Sequence, residues 1–236
     1  MSIKSIEKII SQLNKMNISK NIDPDADMIN NICRRLIGGK FQFSWTFTYS
    51  DSNIIGGVFE NCNIVGDSFE NIIYNIIKNI IPSFEEGPLQ DSPDFWNRDR
   101  QYRWELKCFK GSPNFDIGNI MSYYNDISKE GGVDKLLYKT KYLVFKYSQV
   151  DNYYIIDDFI MCNVWDMIKY DGKYPISLQN KKGIWYNIRP GNYRDFRNQN
   201  KTPELFIEHI CKSIEICPNN FNEDRKIIID KIREQI

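Results

Sequence analysis

Two stretches decide the fold of this chain: Asp91-Ser92-Pro93-Asp94, and then Tyr102-Arg103-Trp104-Glu105-Leu106-Lys107-Cys108-Phe109. The second stretch alternates polar and apolar side chains at the period of a β-strand. Glu105 and Lys107 therefore share one face of the strand, and the apolar residues between and beside them share the other. The proline of the first stretch predicts a bend, and strands that fold back across it pair at about 5 Å. This geometry predicts that Asp94 lies beside Glu105.

Two carboxylates and one amine in this arrangement suit metal-dependent phosphodiester cleavage. Neighbouring carboxylates repel each other unless a divalent cation lies between them. Oxygen ligands suit Mg²⁺, which keeps several waters for use with a substrate phosphate. The cation would polarise the phosphoryl oxygen and lower the pKa of a bound water, while Lys107 would hold that water and offset the charge developing at phosphorus. The pattern therefore indicates a nuclease that uses Asp94, Glu105 and Lys107.

The segments Pro93-Asp94 and Glu105-Leu106-Lys107 resemble the signature of the PD-(D/E)xK nuclease superfamily. The resemblance implies that Asp94 and Glu105 are metal ligands and that Lys107 is the catalytic lysine. Within the superfamily, the compact length and the mid-chain motif are most similar to type II restriction endonucleases. That family implies a homodimer that cuts double-stranded DNA at a short palindromic sequence and leaves 5′-phosphates. It also implies a cognate DNA methyltransferase in the same system.

A further acid lies on the helix predicted ahead of the motif. An apolar stripe runs from Phe69 to Ile80 at helical spacing, and Pro82 ends it. Members of this superfamily often supply an additional acid from such a helix, so the resemblance makes Glu70 a candidate metal ligand, with Glu60 as an alternative. The competing interpretation is structural, with Asp67 and Glu70 as a capping-box-like pair at the start of the helix.

A basic and amide-rich segment, residues 181–201, is the candidate DNA-binding surface. It holds six Lys or Arg residues and a single acid, and its asparagines add amide groups. Arginine pairs with guanine or phosphate, and amides pair with adenine. The predicted DNA contacts are Lys181, Lys182, Arg189, Arg194, Arg197 and Asn198, together with Asn119 from outside the segment. The alternative interpretation is a solvated loop in a chain that is rich in asparagine throughout.

The rest of the pattern predicts an α/β fold with a central mixed β-sheet flanked by helices, like that of restriction endonucleases. A chain of 236 residues, 42% of them hydrophobic, can bury a full core, and we predict one nuclease domain over residues 1–236. Helical regions are predicted at residues 1–39 and 202–236. Between them, periodicity predicts strands at 41–49, 141–147, 153–161 and 183–188, and helices at 115–127 and 164–168.

Composition excludes several other classes of protein. No apolar run approaches the length that crosses a membrane, and the first residues are polar, so we predict a cytoplasmic protein without membrane association. Six cysteines lack paired metal-ligand spacing and only one histidine is present, which argues against a zinc site. The 31 basic and 31 acidic residues cancel, so DNA binding depends on a local patch.

Three functions fit these observations. The first is a magnesium-dependent, site-specific DNA endonuclease of the restriction type. The second is a repair or junction-resolving nuclease of the same superfamily, which would recognise DNA shape. The third is a noncatalytic DNA-binding or structural protein in which Asp94, Glu105 and Lys107 form an ion-paired hairpin. Neutral charge and the amide-rich basic segment favour the first function over the second, because recognition of shape requires a broader positive surface.

Overall fold

The computed structural model describes residues 23–49, 53–58, 62–88, 92–127, 129, 131–170, 175–181, 184–197 and 201–216. The helices are α1 (Ala26–Arg35), α2 (Cys62–Ile80), α3 (Ile120–Ile127), α4 (Gly132–Leu137), α5 (Val164–Met167) and α6 (Pro203–Ile216), with a 3-10 helix at Tyr193–Arg197. The strands are β1 (Lys40–Phe41), β2 (Ser44–Tyr49), β3 (Asn53–Val58), β4 (Glu85–Glu86), β5 (Phe95–Asn97), β6 (Tyr102–Lys110), β7 (Gly118–Asn119), β8 (Thr140–Val150), β9 (Tyr153–Cys162), β10 (Leu178–Lys181) and β11 (Ile184–Ile188).

The chain divides into two compact units. The first unit comprises the described parts of residues 24–111 and 142–161, and the second comprises Asp23 with the described parts of 112–141 and 162–236. The single domain over residues 1–236 stays a prediction. Among the described residues, no helix is both long and apolar enough to cross a membrane.

The first unit is built on a six-stranded sheet with the order β1-β9-β8-β6-β5-β4. β4, β5 and β6 are consecutive antiparallel neighbours, and Phe95 of β5 lies opposite Trp104 of β6. Trp104 and Leu106 belong to the main buried cluster, and Cys108 packs against it. The alternation predicted for β6 is therefore confirmed, because its apolar face forms part of the core.

An apolar stripe along α2 supplies the helical side of the same core. Phe69, Ile73 and Ile77 recur at helical spacing, and none is more than 2% exposed. Burying each of these side chains contributes about 1.5–3 kcal/mol. The helix ends at Ile80, ahead of Pro82, as predicted, because proline offers no backbone N–H and clashes with the preceding turn.

The start of α2 differs from the prediction. The helix begins at Cys62 and has no acidic residue in its first turn, so Asp67 and Glu70 lie in its interior. The interpretation of these two acids as a cap at the helix start is therefore wrong. The buried Val65 shows why the helix is longer, since it extends the apolar stripe one turn ahead of Phe69.

The turn between β5 and β6 is held by hydrogen bonds to the start of α1. Arg98, Asp99 and Arg100 all have positive φ angles, of 50°, 54° and 61°, which residues other than glycine rarely adopt. Asp25 accepts hydrogen bonds from Arg98 Nη2 at 2.9 Å and from Asn97 Nδ2 at 3.1 Å. These contacts fix the tight turn, and the turn sets how β5 faces β6.

Two glycines connect α1 to the sheet. Gly38 has a φ of +83°, which suits glycine, and its N–H donates to the carbonyl of Ile156 at 2.8 Å. The N–H of Ile156 donates in turn to the carbonyl of Gly39 at 3.0 Å. The chain thereby enters β1 in antiparallel register with β9.

The second unit contains a smaller sheet with the order β10-β11-β7. The helix predicted at residues 115–127 begins only at Ile120, because Gly118 and Asn119 pair with β11 as a strand. The six-residue helix α4 was not predicted. The predicted strands at 141–147, 153–161 and 183–188 correspond to β8, β9 and β11, and the short helix at 164–168 corresponds to α5.

Other predicted elements are confirmed in part. The alternating segment 41–49 contains β1 and β2, and β2 pairs with β3 as a hairpin. Of the helical N-terminal region 1–39, residues 1–22 lie outside the described residues and α1 covers 26–35. Of the helical C-terminal region 202–236, α6 covers Pro203–Ile216 and residues 217–236 lie outside the described residues.

Candidate active site

The first unit brings the three motif side chains together on one side of β6. Lys107 Nζ lies 3.5 Å from Glu105 Oε2 and 4.0 Å from Asp94 Oδ2. The side chains of Asp94, Glu105 and Lys107 are 17%, 8% and 20% exposed, respectively. The predicted convergence of the two acids is therefore present: the carboxylates of Asp94, just ahead of β5, and of Glu105, in β6, both lie near the same ammonium group.

Backbone contacts fix the Asp94 carboxylate. The N–H of Leu106 donates to Asp94 Oδ2 at 2.6 Å, across the β5–β6 ladder. The carbonyl of Asp94 accepts from the N–H of Gly87 at 2.8 Å. A Cβ atom at Gly87 would lie 1.6 Å from the carbonyl oxygen of Pro93, so only glycine allows this close approach.

We expect Gly87→Ala to destabilise the chain by about 1–3 kcal/mol, because the new methyl group must displace the Pro93-Asp94 backbone. Urea denaturation followed by circular dichroism measures this loss. Gly66→Ala is the matched control, since a Cβ at Gly66 meets nothing within 4 Å and the position lies inside α2. That substitution should raise stability by about 0.5–1 kcal/mol. Equal effects of the two substitutions would contradict the close approach at Gly87.

One oxygen of the Glu105 carboxylate accepts a hydrogen bond from a hydroxyl group. The Ser92 hydroxyl donates to Glu105 Oε1. Glu105 Oε2 is the oxygen that faces Lys107. The two oxygens of this carboxylate therefore have different environments, one bound by a neutral hydroxyl and one directed toward the charged cluster.

Negative charge is in excess around Lys107. Burial, together with the charge of Glu105, raises the pKa of Asp94 to about 6, although Lys107 and the Leu106 N–H act in the opposite direction. Burial and then the charge of Asp94 raise the pKa of Glu70 to about 7. Burial alone would lower the pKa of Lys107, but Glu105, Asp94 and Glu70 outweigh it and raise that pKa. One ammonium group thus faces three acids, an environment that attracts a cation.

The donor set suits magnesium. Among the described residues, no three His, Cys, Asp or Glu side chains are grouped closely enough to hold a metal ion. Mg²⁺ commonly takes one or two protein carboxylates and completes its shell with water and substrate phosphate. Asp94 and Glu105 fit that requirement. Burial is the main cause of the raised pKa of Asp94, and the charge of Glu105 adds a repulsion that a cation would relieve. Glu70 is near enough for its charge to act on Lys107.

The residues predicted to bind DNA lie in the second unit. Arg189 follows β11 and is ion-paired with Asp116, whose other carboxylate oxygen accepts from Asn187 Nδ2 at 2.7 Å. Asn119 lies in β7, and its Oδ1 accepts from the N–H of Met121 at 2.8 Å, at the start of α3. The involvement of Asp116 was not predicted from the sequence.

The structure describes only some of the other residues that were predicted to contact DNA. Arg194 and Arg197 are exposed on the 3-10 helix, and the Arg197 guanidinium lies 6.0 Å from the ring centre of Tyr193. Lys181 ends β10, and its side chain lies outside the described residues. Lys182, Asn198 and the alternative acid Glu60 also lie outside them. The DNA-binding role of these residues stays a prediction.

Comparisons with known proteins identify the family. A family model described as NgoBV restriction endonuclease matches residues 38–227. The chain is 30% identical over 132 residues to the type II restriction enzyme NlaIV of Neisseria lactamica. That match covers 53% of this chain and 53% of the relative, so the chain spans about half the length of the curated relative it matches.

A solved structure has the same fold. The NlaIV restriction endonuclease superposes with a TM-score of 0.70 at 23% identity, over 89% of this chain and 86% of that one. The predicted α/β fold, with a central mixed sheet and flanking helices as in restriction endonucleases, is therefore confirmed. Because the family model covers most of the sequence, this chain belongs to the NgoBV restriction endonuclease family.

Proposed function

We propose that this chain is a type II site-specific deoxyribonuclease that hydrolyses phosphodiester bonds of double-stranded DNA with Mg²⁺. The observation that carries the proposal is the approach of Asp94 and Glu105 to within 4.0 Å of Lys107 Nζ, in a chain of a restriction endonuclease family. The type II relative NlaIV supports the same activity. The proposed products carry 5′-phosphates.

In the proposed mechanism, Asp94 and Glu105 would hold the cation, which would supply electrostatic stabilisation and lower the pKa of water. The Leu106 N–H and the Ser92 hydroxyl keep the two carboxylates oriented. The Lys107 ammonium holds the attacking water and offsets the charge that develops on phosphorus. Glu70 adds negative charge that would draw the cation to the site, and it is the candidate for an additional metal ligand.

An ion-paired hairpin without catalytic function is the alternative for the same three residues. A structural hairpin gains stability from balanced charge, whereas here the acids exceed the lysine and the pKa of Asp94 is raised. Buried groups with perturbed pKa values cluster at functional sites. The charge imbalance therefore favours catalysis over a structural ion pair.

Cleavage of a fully sequenced phage DNA tests the proposal. With Mg²⁺ we expect discrete fragments, whose ends give the recognition sequence, and no cleavage with EDTA. A smear, or cuts confined to branched DNA, would instead indicate a repair or junction-resolving nuclease. Absence of cleavage with Mg²⁺, Mn²⁺ or Co²⁺ would contradict an enzymatic role.

The assembly and setting of the enzyme are part of the same proposal. A palindromic recognition sequence is matched by a homodimer, because two-fold symmetry in the DNA mirrors two-fold symmetry in the protein. A nuclease that cuts such a sequence requires a cognate DNA methyltransferase to protect the host DNA. We place both proteins in the cytoplasm, where host DNA and incoming DNA meet.

We expect Arg189→Ala to weaken DNA binding, because it removes a cation from the second unit. Loss of a base contact would cost about 1–3 kcal/mol, and loss of a phosphate contact would make the salt dependence shallower by about one unit of slope. Fluorescence anisotropy with Ca²⁺ and a labelled duplex, at several salt concentrations, measures both quantities. Arg100→Ala is the matched control, since this exposed arginine lies in the β5–β6 turn and pairs with Glu85. Equal affinity of both variants and the parent chain would contradict a role for Arg189.

A further inference from the structure

A chain of three hydrogen-bonded side chains ends on Glu105. Arg103 Nη2 donates to Ser92 Oγ at 2.7 Å, and the Ser92 hydroxyl donates to Glu105 Oε1. Arg103 and Glu105 are alternate residues of β6, so their side chains share one face of the strand. Ser92 bridges them from the segment just ahead of Asp94.

Arg103 is tightly enclosed. Its residue is 5% exposed, and its guanidinium lies 5.6 Å from the ring centre of Trp96, the residue opposite it on β5. Arg103 Nε is buried and has no hydrogen-bond partner among the described residues. Burial of an incompletely paired guanidinium costs free energy. Stability alone therefore does not account for an arginine here.

The direction of the hydrogen bonds follows from the donors available. A guanidinium has only N–H donors and stays charged, so Ser92 Oγ must accept from Arg103. A serine hydroxyl has one proton, and with its oxygen accepting from arginine that proton goes to Glu105 Oε1. This arrangement suits the ionised carboxylate, and it leaves Glu105 Oε2 directed toward Lys107.

We propose that Ser92 and Arg103 are positioning residues that orient the Glu105 carboxylate for the cation. This inference rests on the proposed function, because it requires Glu105 to bind the cation. Arg103 fixes the Ser92 hydroxyl, and Ser92 occupies one carboxylate oxygen so that the other keeps its direction. Residues that orient a metal ligand in this way commonly change metal affinity or activity 10- to 100-fold when they are substituted.

Calorimetric titration of the full chain with Ca²⁺, in the absence of DNA, tests the proposal without cleavage. We expect Ser92→Ala to raise the Kd for Ca²⁺ about 10-fold, and Arg103→Met to raise it by a similar factor. Arg100→Met is the matched control, because that arginine lies in the same hairpin, is exposed and pairs with Glu85. Its Kd should equal that of the parent chain. Ser92 is exposed, so Ser92→Ala tests the proposal even if Arg103→Met does not fold.

The Glu105→Gln variant separates this inference from the proposed function. If Glu105→Gln leaves Ca²⁺ affinity unchanged, the proposed metal-binding role fails. If Glu105→Gln weakens Ca²⁺ binding and Ser92→Ala does not, the positioning role fails while the proposed function stands. In the Glu105→Gln background we expect Ser92→Ala to add no further loss, since the two residues act through one carboxylate. An equal loss in both backgrounds would also overturn the positioning role.

Discussion

Lys107→Ala is expected to slow DNA cleavage by about 10²- to 10³-fold, the usual effect of removing one group that stabilises charge in a transition state. Lys107 Nζ lies 3.5 Å from Glu105 and 4.0 Å from Asp94, so it acts at the cation site and not on a distant phosphate. DNA binding should therefore remain within about threefold of the parent chain. Single-turnover cleavage and anisotropy with Ca²⁺ measure the two effects separately.

Lys110→Ala is the control for Lys107→Ala. Lys110 ends the same strand, is exposed, and donates to Gln149 Oε1 at 3.2 Å. Its removal changes the net charge by the same amount but leaves the cluster of acids intact, so cleavage should proceed at the parental rate. A Lys107→Ala variant that folds and still cuts at the parental rate would remove Lys107 from the mechanism.

The sequence was sufficient to predict the centre of the site because strand alternation is a local property. Glu105 and Lys107 are two residues apart on an apolar strand, as predicted. The fold-back, however, is the turn at residues 98–100 and not the bend at Pro93: this turn pairs β5 with β6 and thereby places Asp94, just ahead of β5, beside Glu105. The structure brings these side chains together as predicted. Their chemical roles stay a prediction until cleavage and metal binding are measured.

The supporting contacts were harder to predict because they depend on side-chain conformation. Arg103 has the same strand parity as Glu105, so the spacing alone could have placed it on the polar face, but it was not singled out. The link through Ser92 required the fold of the segment ahead of Asp94, which no periodicity describes. The pairing of Arg189 with Asp116 likewise joins residues far apart in sequence.

The errors in the predicted elements have two different origins. Gly118 and Asn119 have the local pattern of a helix start, yet they form β7 because β11 offers strand pairing from a distant part of the chain. The early start of α2 had a sequence signal, since Val65 precedes Phe69 by four residues and continues its stripe. Long-range pairing is outside the reach of a sequence pattern, whereas an extended stripe is within it.

Asp94→Asn is expected to slow cleavage by at least about 10²-fold, because a cation bound by two carboxylates loses one of its charged ligands and about 3 kcal/mol of transition-state stabilisation. The amide is nearly isosteric with the carboxylate, and its oxygen can still accept the hydrogen bond from the Leu106 N–H. The loss should therefore reflect missing charge and not a changed fold. Glu86→Gln on β4, an exposed acid outside the cluster, is the matched control and should cut at the parental rate.

The same Asp94→Asn substitution is expected to raise thermal stability when no cation is present. Burial and the charge of Glu105 raise the pKa of Asp94 from 3.8 to about 6 in the folded chain. An acid whose folded pKa exceeds its unfolded value favours folding only while it is protonated, so its contribution is lost as pH rises through the folded pKa. At pH 8 with EDTA, Asp94→Asn should melt at a higher temperature than the parent chain, and this difference should shrink toward pH 4.

Added Mg²⁺ should raise the melting temperature of the parent chain more than that of the variant, because only the parent retains both carboxylates. Calorimetric melting at both pH values measures these differences, and a variant that melts lower at pH 8 would contradict the repulsion between Asp94 and Glu105.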